Sequence, residues 1–120
     1  MWGRELLDRD IAKALREFIE LMEREEYFEA HEVLELVWHR ARKQRHPQTL
    51  LLKGLINGAI SFEHIKRKRA NSLKSSRITM GSYLRYKSMC NPLIVNFELF
   101  NEACDLIDNH PYKKIINKQV

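Results

Sequence analysis

Glycine and proline are scarce in this chain, four and three residues in 120. A many-stranded sheet needs more turn residues than that, so long helices joined by short loops are expected instead. Cysteine is scarcer still, at Cys90 and Cys104 only. Two cysteines are too few for a disulfide framework, and neither has a cysteine partner at metal-ligand spacing. Cys104 falls at an apolar helical position and reads as a small core residue. Cys90 precedes Asn91-Pro92 and reads as more exposed. No apolar run approaches the roughly 20 residues that cross a bilayer; Leu50 to Leu52 is as long as such runs become. Met1-Trp2-Gly3-Arg4-Glu5 leads into a charged amphipathic stretch without a signal-peptide core, so a cytoplasmic protein with no membrane partner is expected. Also missing are a glycine-rich phosphate loop, a helix-turn-helix pattern and a zinc knuckle.

What is present fits one helical domain over residues 1–120. Hydrophobic residues make up 44% of the chain, enough for a core without covalent staples. The net charge of +5 hides an asymmetry. Residues 1–35 carry a balance of −6, residues 36–90 a balance of +12 with Glu63 the single acid, and residues 91–120 a balance of −1. A basic block of that size attracts phosphate, nucleic acid or an acidic protein.

Apolar periodicity predicts an all-α array of about five helices. The first starts near Asp8 or Asp10, either of which can cap it, and carries Ile11, Leu15, Phe18, Ile19 and Met22. The second runs from about Tyr27 to Arg42. The third follows Pro47 to about Lys68, and Leu51, Leu52, Leu55, Ile56, Ala59 and Phe62 make it apolar around much of its circumference, as a central helix must be. Gly54, Gly58 and Ser61 on it suggest close approach by a neighbouring backbone. A fourth begins at Asn71 or Ser72. A fifth spans about 92–109, with Leu93, Phe97, Phe100, Cys104 and Ile107 in one stripe. His46-Pro47 and His110-Pro111 read as terminators, and 111–120 as a short polar tail in which Ile115 and Ile116 dock back.

Two features carry chemistry. On the second helix His31 and Glu35 share a face one turn apart, with Trp38 a further turn along. On the third, Asn57 and His64 lie nearly in line. Antiparallel packing of the two helices would bring these residues together. Two imidazoles with Glu35 and Glu32 suit a divalent metal, with His31, Glu35 and His64 as ligands, or an acid–base pair. In a hydrolytic version Glu32, His31 and His64 handle protons, while Glu35, Trp38 and Asn57 hold a small ligand. The second feature is the basic run Lys66, Arg67, Lys68 and Arg69, continued by Lys74, Arg77, Arg85 and Lys87. Tyr83 and Tyr86 are interleaved and could stack on bases, which makes a nucleic-acid or acidic-partner module the alternative. A third reading makes the His/Glu cluster a purely structural network.

The string Phe28-Glu29-Ala30-His31-Glu32-Val33-Leu34-Glu35-x-x-Trp38, followed by Leu52-Lys53-Gly54-Leu55-Ile56-Asn57 and His64, resembles a prokaryotic family of small helical proteins catalogued as domain of unknown function 309. The resemblance covers about residues 15–85. It implies a compact helical fold and a common site at His31, Glu32, Glu35, Trp38, Gly54 and His64, without implying a reaction. The family usually has glutamine at the place of Asn57, and Arg-Gly-Asn at the place of Arg69-Ala70-Asn71.

Overall fold

The structure, a computed structural model, describes residues 2–117. Six α-helices account for most of them: α1 (Trp2–Glu23), α2 (Tyr27–Lys43), α3 (Thr49–Arg67), α4 (Ser72–Tyr86), α5 (Phe97–Asp108) and α6 (Pro111–Asn117). A short 3-10 turn, Lys87–Met89, follows α4, and no strand occurs among the described residues. Among the described residues no helix is long and apolar enough to cross a membrane.

α3 is central. Leu51, Leu52, Leu55, Ile56, Ala59 and Phe62 are fully buried on it, and burial of each large side chain contributes about 1.5–3 kcal/mol. It packs between α2 and α4 and touches α5. The small residues allow that. A Cβ on Gly54 would stand 3.2 Å from the Cβ of Tyr86 and 3.5 Å from the Cα of Tyr83. Where α4 crosses Ser61, the Ser76 hydroxyl donates to the carbonyls of Ser61 and Ser72 at 2.9 and 2.8 Å. Gly81 differs, since nothing lies within 4 Å of a Cβ built there and its φ is not positive. Gly81→Ala is therefore expected to raise stability by about 1 kcal/mol through helix propensity alone. A urea melt with an unchanged or earlier midpoint would contradict this.

Two boundaries differ from expectation, each for its own reason. α1 begins well before Asp8 because Leu7, one turn ahead of Ile11, already belongs to the buried stripe. Asp8 and Asp10 do not cap it. They reach across to His46 Nε2 at 2.6 Å and to Arg40 at 2.7 Å. α5 starts at Phe97 and not near residue 92. Asn91 closes a local turn by accepting the Leu93 N–H at 3.0 Å, which competes with helix, and Leu93 is left 94% exposed.

The stretch read as a polar tail is helical over Pro111–Asn117, with Ile116 buried and Ile115 exposed. Its last three residues, 118–120, lie outside the described residues. Both His-Pro dipeptides start helices as well as ending them. The Nδ1 atoms of His46 and His110 accept the N–H groups of Gln48 and Tyr112, each at 3.0 Å, and so satisfy amides that a helix N-terminus leaves free.

Candidate functional site

α2 and α3 run antiparallel. Lys53 lies over the Trp38 ring, 4.5 Å from its centroid, at one end of the pair. Tyr27 meets Phe62 edge-on at 5.6 Å at the other. This register places His31 and His64 in one cleft of about 230 Å³, lined also by Phe28, Ile60, Glu63, Arg67 and Arg69. Both histidines are half-buried. The His31 and Phe28 rings meet in a T-shaped contact at 5.0 Å. Ile60 and Phe28 supply apolar lining.

The cleft's charge is unequal. Glu63 is its one carboxylate and is ion-paired with Arg67 one turn along α3. The Arg67 guanidinium also lies 5.6 Å from the Phe28 ring centroid. Arg69, in the turn after α3, is exposed; its carbonyl accepts the Ser72 N–H at 3.0 Å, but its guanidinium has no ion-pair or hydrogen-bond partner among the described residues. The cleft thus holds one uncompensated guanidinium and two imidazoles.

The other residues expected at this site stand elsewhere. Glu35, Glu32, Trp38 and Asn57 do not line the cleft. Glu32 is exposed and Glu35 half-buried. Asn57 turns to α4, donating to the Ser82 hydroxyl at 2.8 Å. Trp38 carries Lys53 and Arg42 over its ring, Arg42 at 5.2 Å, while its Nε1 is buried without an acceptor among the described residues.

Among the described residues no group of three or more His, Cys, Asp or Glu side chains could hold a metal ion, so His31, Glu35 and His64 do not form the expected ligand set. The antiparallel axes explain why. Moving from His31 to Glu35 along α2 leads away from the C-terminal end of α3, where His64 lies.

The basic segment is divided between folding and surface. Lys66 donates to the Glu25 carbonyl at 2.7 Å, Arg77 to that of Ile116 at 3.3 Å, and Lys87 to Asp108 at 3.2 Å, while Arg67 is paired with Glu63. Tyr83, expected to stack on bases, is fully buried. Lys68, Arg69, Lys74 and Arg85 remain exposed without acidic partners among the described residues.

Sequence reasoning overlooked two polar centres. Asp108, on the last turn of α5, receives Tyr83, Lys87 and Lys113. His110 joins Tyr27 through Nε2 at 2.6 Å and stacks on Phe62 at 4.3 Å. The second His-Pro dipeptide was the available signal for His110; Asp108 had none, because its partners come from three separate elements.

A family model described as a domain of unknown function, DUF309, matches residues 15–75. The match takes in α2, α3 and every residue that lines the cleft. No curated protein and no solved structure matches the chain.

Proposed function

The chain belongs to the DUF309 family, and on that premise we propose that the α2–α3 cleft binds a small organic anion, a carboxylate or phosphate ester with a short apolar body. The observation that carries this reading is an apolar-lined cleft holding an unpartnered arginine, Arg69, beside His31 and His64. At about 230 Å³ it is smaller than the roughly 300–1,000 Å³ of sites for drug-sized ligands. Arg69 supplies the charge, and a planar guanidinium suits the paired oxygens of either anion. The two imidazoles offer hydrogen bonds to the same oxygens, while Phe28 and Ile60 cover the apolar part. If the protein is hydrolytic, proton transfer falls to His31 and His64, since Glu32 points elsewhere.

A second reading, in which the protein binds a polyanion, is supported by the exposed Lys68, Lys74 and Arg85 together with Arg69. One experiment separates the two. Thermal melts are run with phenyl phosphate, benzoate and inorganic phosphate, and binding to single-stranded DNA is measured at low and physiological salt. The cleft reading expects phenyl phosphate to raise the melting temperature, and Arg69→Ala or His31→Ala to weaken that binding about tenfold. Arg85→Ala should leave it unchanged. No shift with any small anion at millimolar concentration would refute the cleft reading. DNA binding that persists at physiological salt and is lost in an Arg85→Ala, Lys74→Ala double variant would favour the second.

A further inference from the structure

The donors of the α2–α3 cleft outnumber what a carboxylate uses. Arg69 is carried by a turn with left-handed residues on both sides, Lys68 at φ 53° and Asn71 at φ 65°. The Ser72 N–H closes that turn on the Arg69 carbonyl at 3.0 Å, so the backbone of Arg69 is held where the residue lines the cleft. His31 comes from α2 and His64 from α3. Three donor side chains from three elements thus border one space of about 230 Å³, which places a single anionic headgroup near all of them. A carboxylate presents two oxygens, and an arginine fork alone can hold both. A phosphate monoester presents three, which leaves one for the imidazoles.

Charge points the same way. The fixed charges lining the cleft are Arg67 and Arg69 against Glu63, and Glu63 is ion-paired with Arg67. One positive charge is left for a ligand. That matches a carboxylate and falls one short of a phosphate monoester, which is close to a dianion at neutral pH. His31 and His64 can supply the missing charge, because histidine is the side chain that ordinarily gains a proton between pH 8 and 5. The charged groups around them are Glu32 and Glu35 on α2, Lys66 and Lys68 at the end of α3, and Lys74 on α4. None of these lines the cleft, Lys66 is bound to the Glu25 carbonyl, and carboxylates and ammonium groups ordinarily keep their charge across the neutral range.

We propose that the cleft selects a phosphate monoester in its dianionic form and takes up a proton at the His31–His64 pair as the ligand binds. This selectivity presupposes the anion-binding cleft proposed above and adds the class of its ligand and a linkage to pH. Arg69 holds two phosphoryl oxygens, and a protonated imidazole donates to the third. Phe28 and Ile60 line the same space, and beside apolar side chains a charge pair is screened less than on open surface. Because binding takes up a proton, affinity falls as pH rises through the neutral range.

The test is calorimetric titration of the full chain with phenyl phosphate, phenyl sulfate and benzoate at pH 7.0 and 8.5. Phenyl sulfate has the same body and three terminal oxygens but a single negative charge. Phenyl phosphate is mainly a dianion throughout this range, since phosphate monoesters lose their second proton near pH 6. It should bind about tenfold tighter than the other two at pH 7.0 and lose about fivefold by pH 8.5, while phenyl sulfate and benzoate change by less than about twofold. Titrations at pH 7.5 in two buffers of different ionisation heat should show about one proton taken up with phenyl phosphate and almost none with phenyl sulfate. A His31→Gln, His64→Gln double variant should lose both the proton uptake and the preference for phosphate, and Arg85→Ala should keep them. Should the double variant fail to fold, the proton count of the wild-type chain decides. Comparable binding of all three ligands without proton uptake would overturn the selectivity and leave the cleft reading standing, whereas binding of none would remove both. A preference for phosphate that survives unchanged in the folded double variant would also overturn it, since the second positive charge would then come from another group.

Discussion

Replacing Asp108 by alanine is expected to lower the stability of the fold by about 3 kcal/mol at neutral pH. The carboxylate stands at the C-terminal end of α5, where the helix dipole disfavours negative charge. Three donors hold it there: the Tyr83 hydroxyl at 2.9 Å, Lys87 at 3.2 Å and Lys113 at 3.0 Å. They come from α4, the 3-10 turn and α6, so one side chain ties three elements to α5. Burial by itself would raise this carboxyl, but the hydrogen bonds from Lys113, Tyr83 and Lys87 outweigh it and the net shift is downward. A carboxyl whose folded value is depressed contributes stability above its unfolded value, near 4. That contribution is lost as pH falls through the folded value. The gap between wild type and Asp108→Ala in urea melts should therefore be full at pH 7 and should narrow below about pH 4. Asp108→Asn, which can still accept from Tyr83, should fall between the two. A gap below about 1 kcal/mol at pH 7, or one independent of pH, would show that the three donors are satisfied without the carboxylate.

Asp108 also shows why some of the molecule was legible in sequence and some was not. Features set by neighbours along one helix could be read directly. The apolar circumference of α3 identified a central helix, and Gly54, Gly58 and Ser61 marked the close approach of a neighbour. The fivefold count missed α6 because seven residues are too few to show a period, and its docking relies on Ile116 and on His110 outside its own span. Asp8 and Asp10 were read by a local capping rule, whereas their partners, His46 and Arg40, lie on the far side of a helix–helix contact. The candidate site divides in the same way. The spacing of His31 and Glu35 is a local fact, and it suggested a joint role. Which α3 residue meets His31 depends on the register of two antiparallel helices, and that register selects His64 and Ile60 while carrying Glu35 away. Arg69, which sets the sign of the cleft, lies past the end of α3; it was read as one member of a basic run and beside the family's Arg-Gly-Asn string, and not together with His31 and His64.

Acidification should weaken the attachment of α6, and a single substitution should remove that sensitivity. His110 precedes α6 and is enclosed by Phe62 from α3, Tyr27 from α2 and Tyr112 from α6. Its Nδ1 accepts the Tyr112 N–H at 3.0 Å. That fixes the neutral ring with its proton on Nε2, which donates to the Tyr27 oxygen at 2.6 Å. A second proton would have to enter at Nδ1, opposite an N–H, and would break the bond that starts the helix. Burial lowers the His110 value, and the Glu25 carboxylate opposes that shift without cancelling it. A histidine depressed in the folded state contributes stability that is complete above its unfolded value of about 6.5. The contribution disappears as pH falls through the folded value. His110→Asn separates this residue from the other four histidines, because an asparagine side chain can accept the same N–H two residues on and does not titrate. The variant should be less stable than wild type at pH 7.5, having lost the stacking on Phe62. Its stability should then decline less steeply towards pH 5, so that the two melting curves converge. Amide exchange in α6 should accelerate with acid in wild type before exchange in α3 does. Equal slopes for the two proteins would place the acid sensitivity at another histidine and leave His110 as a packing residue alone.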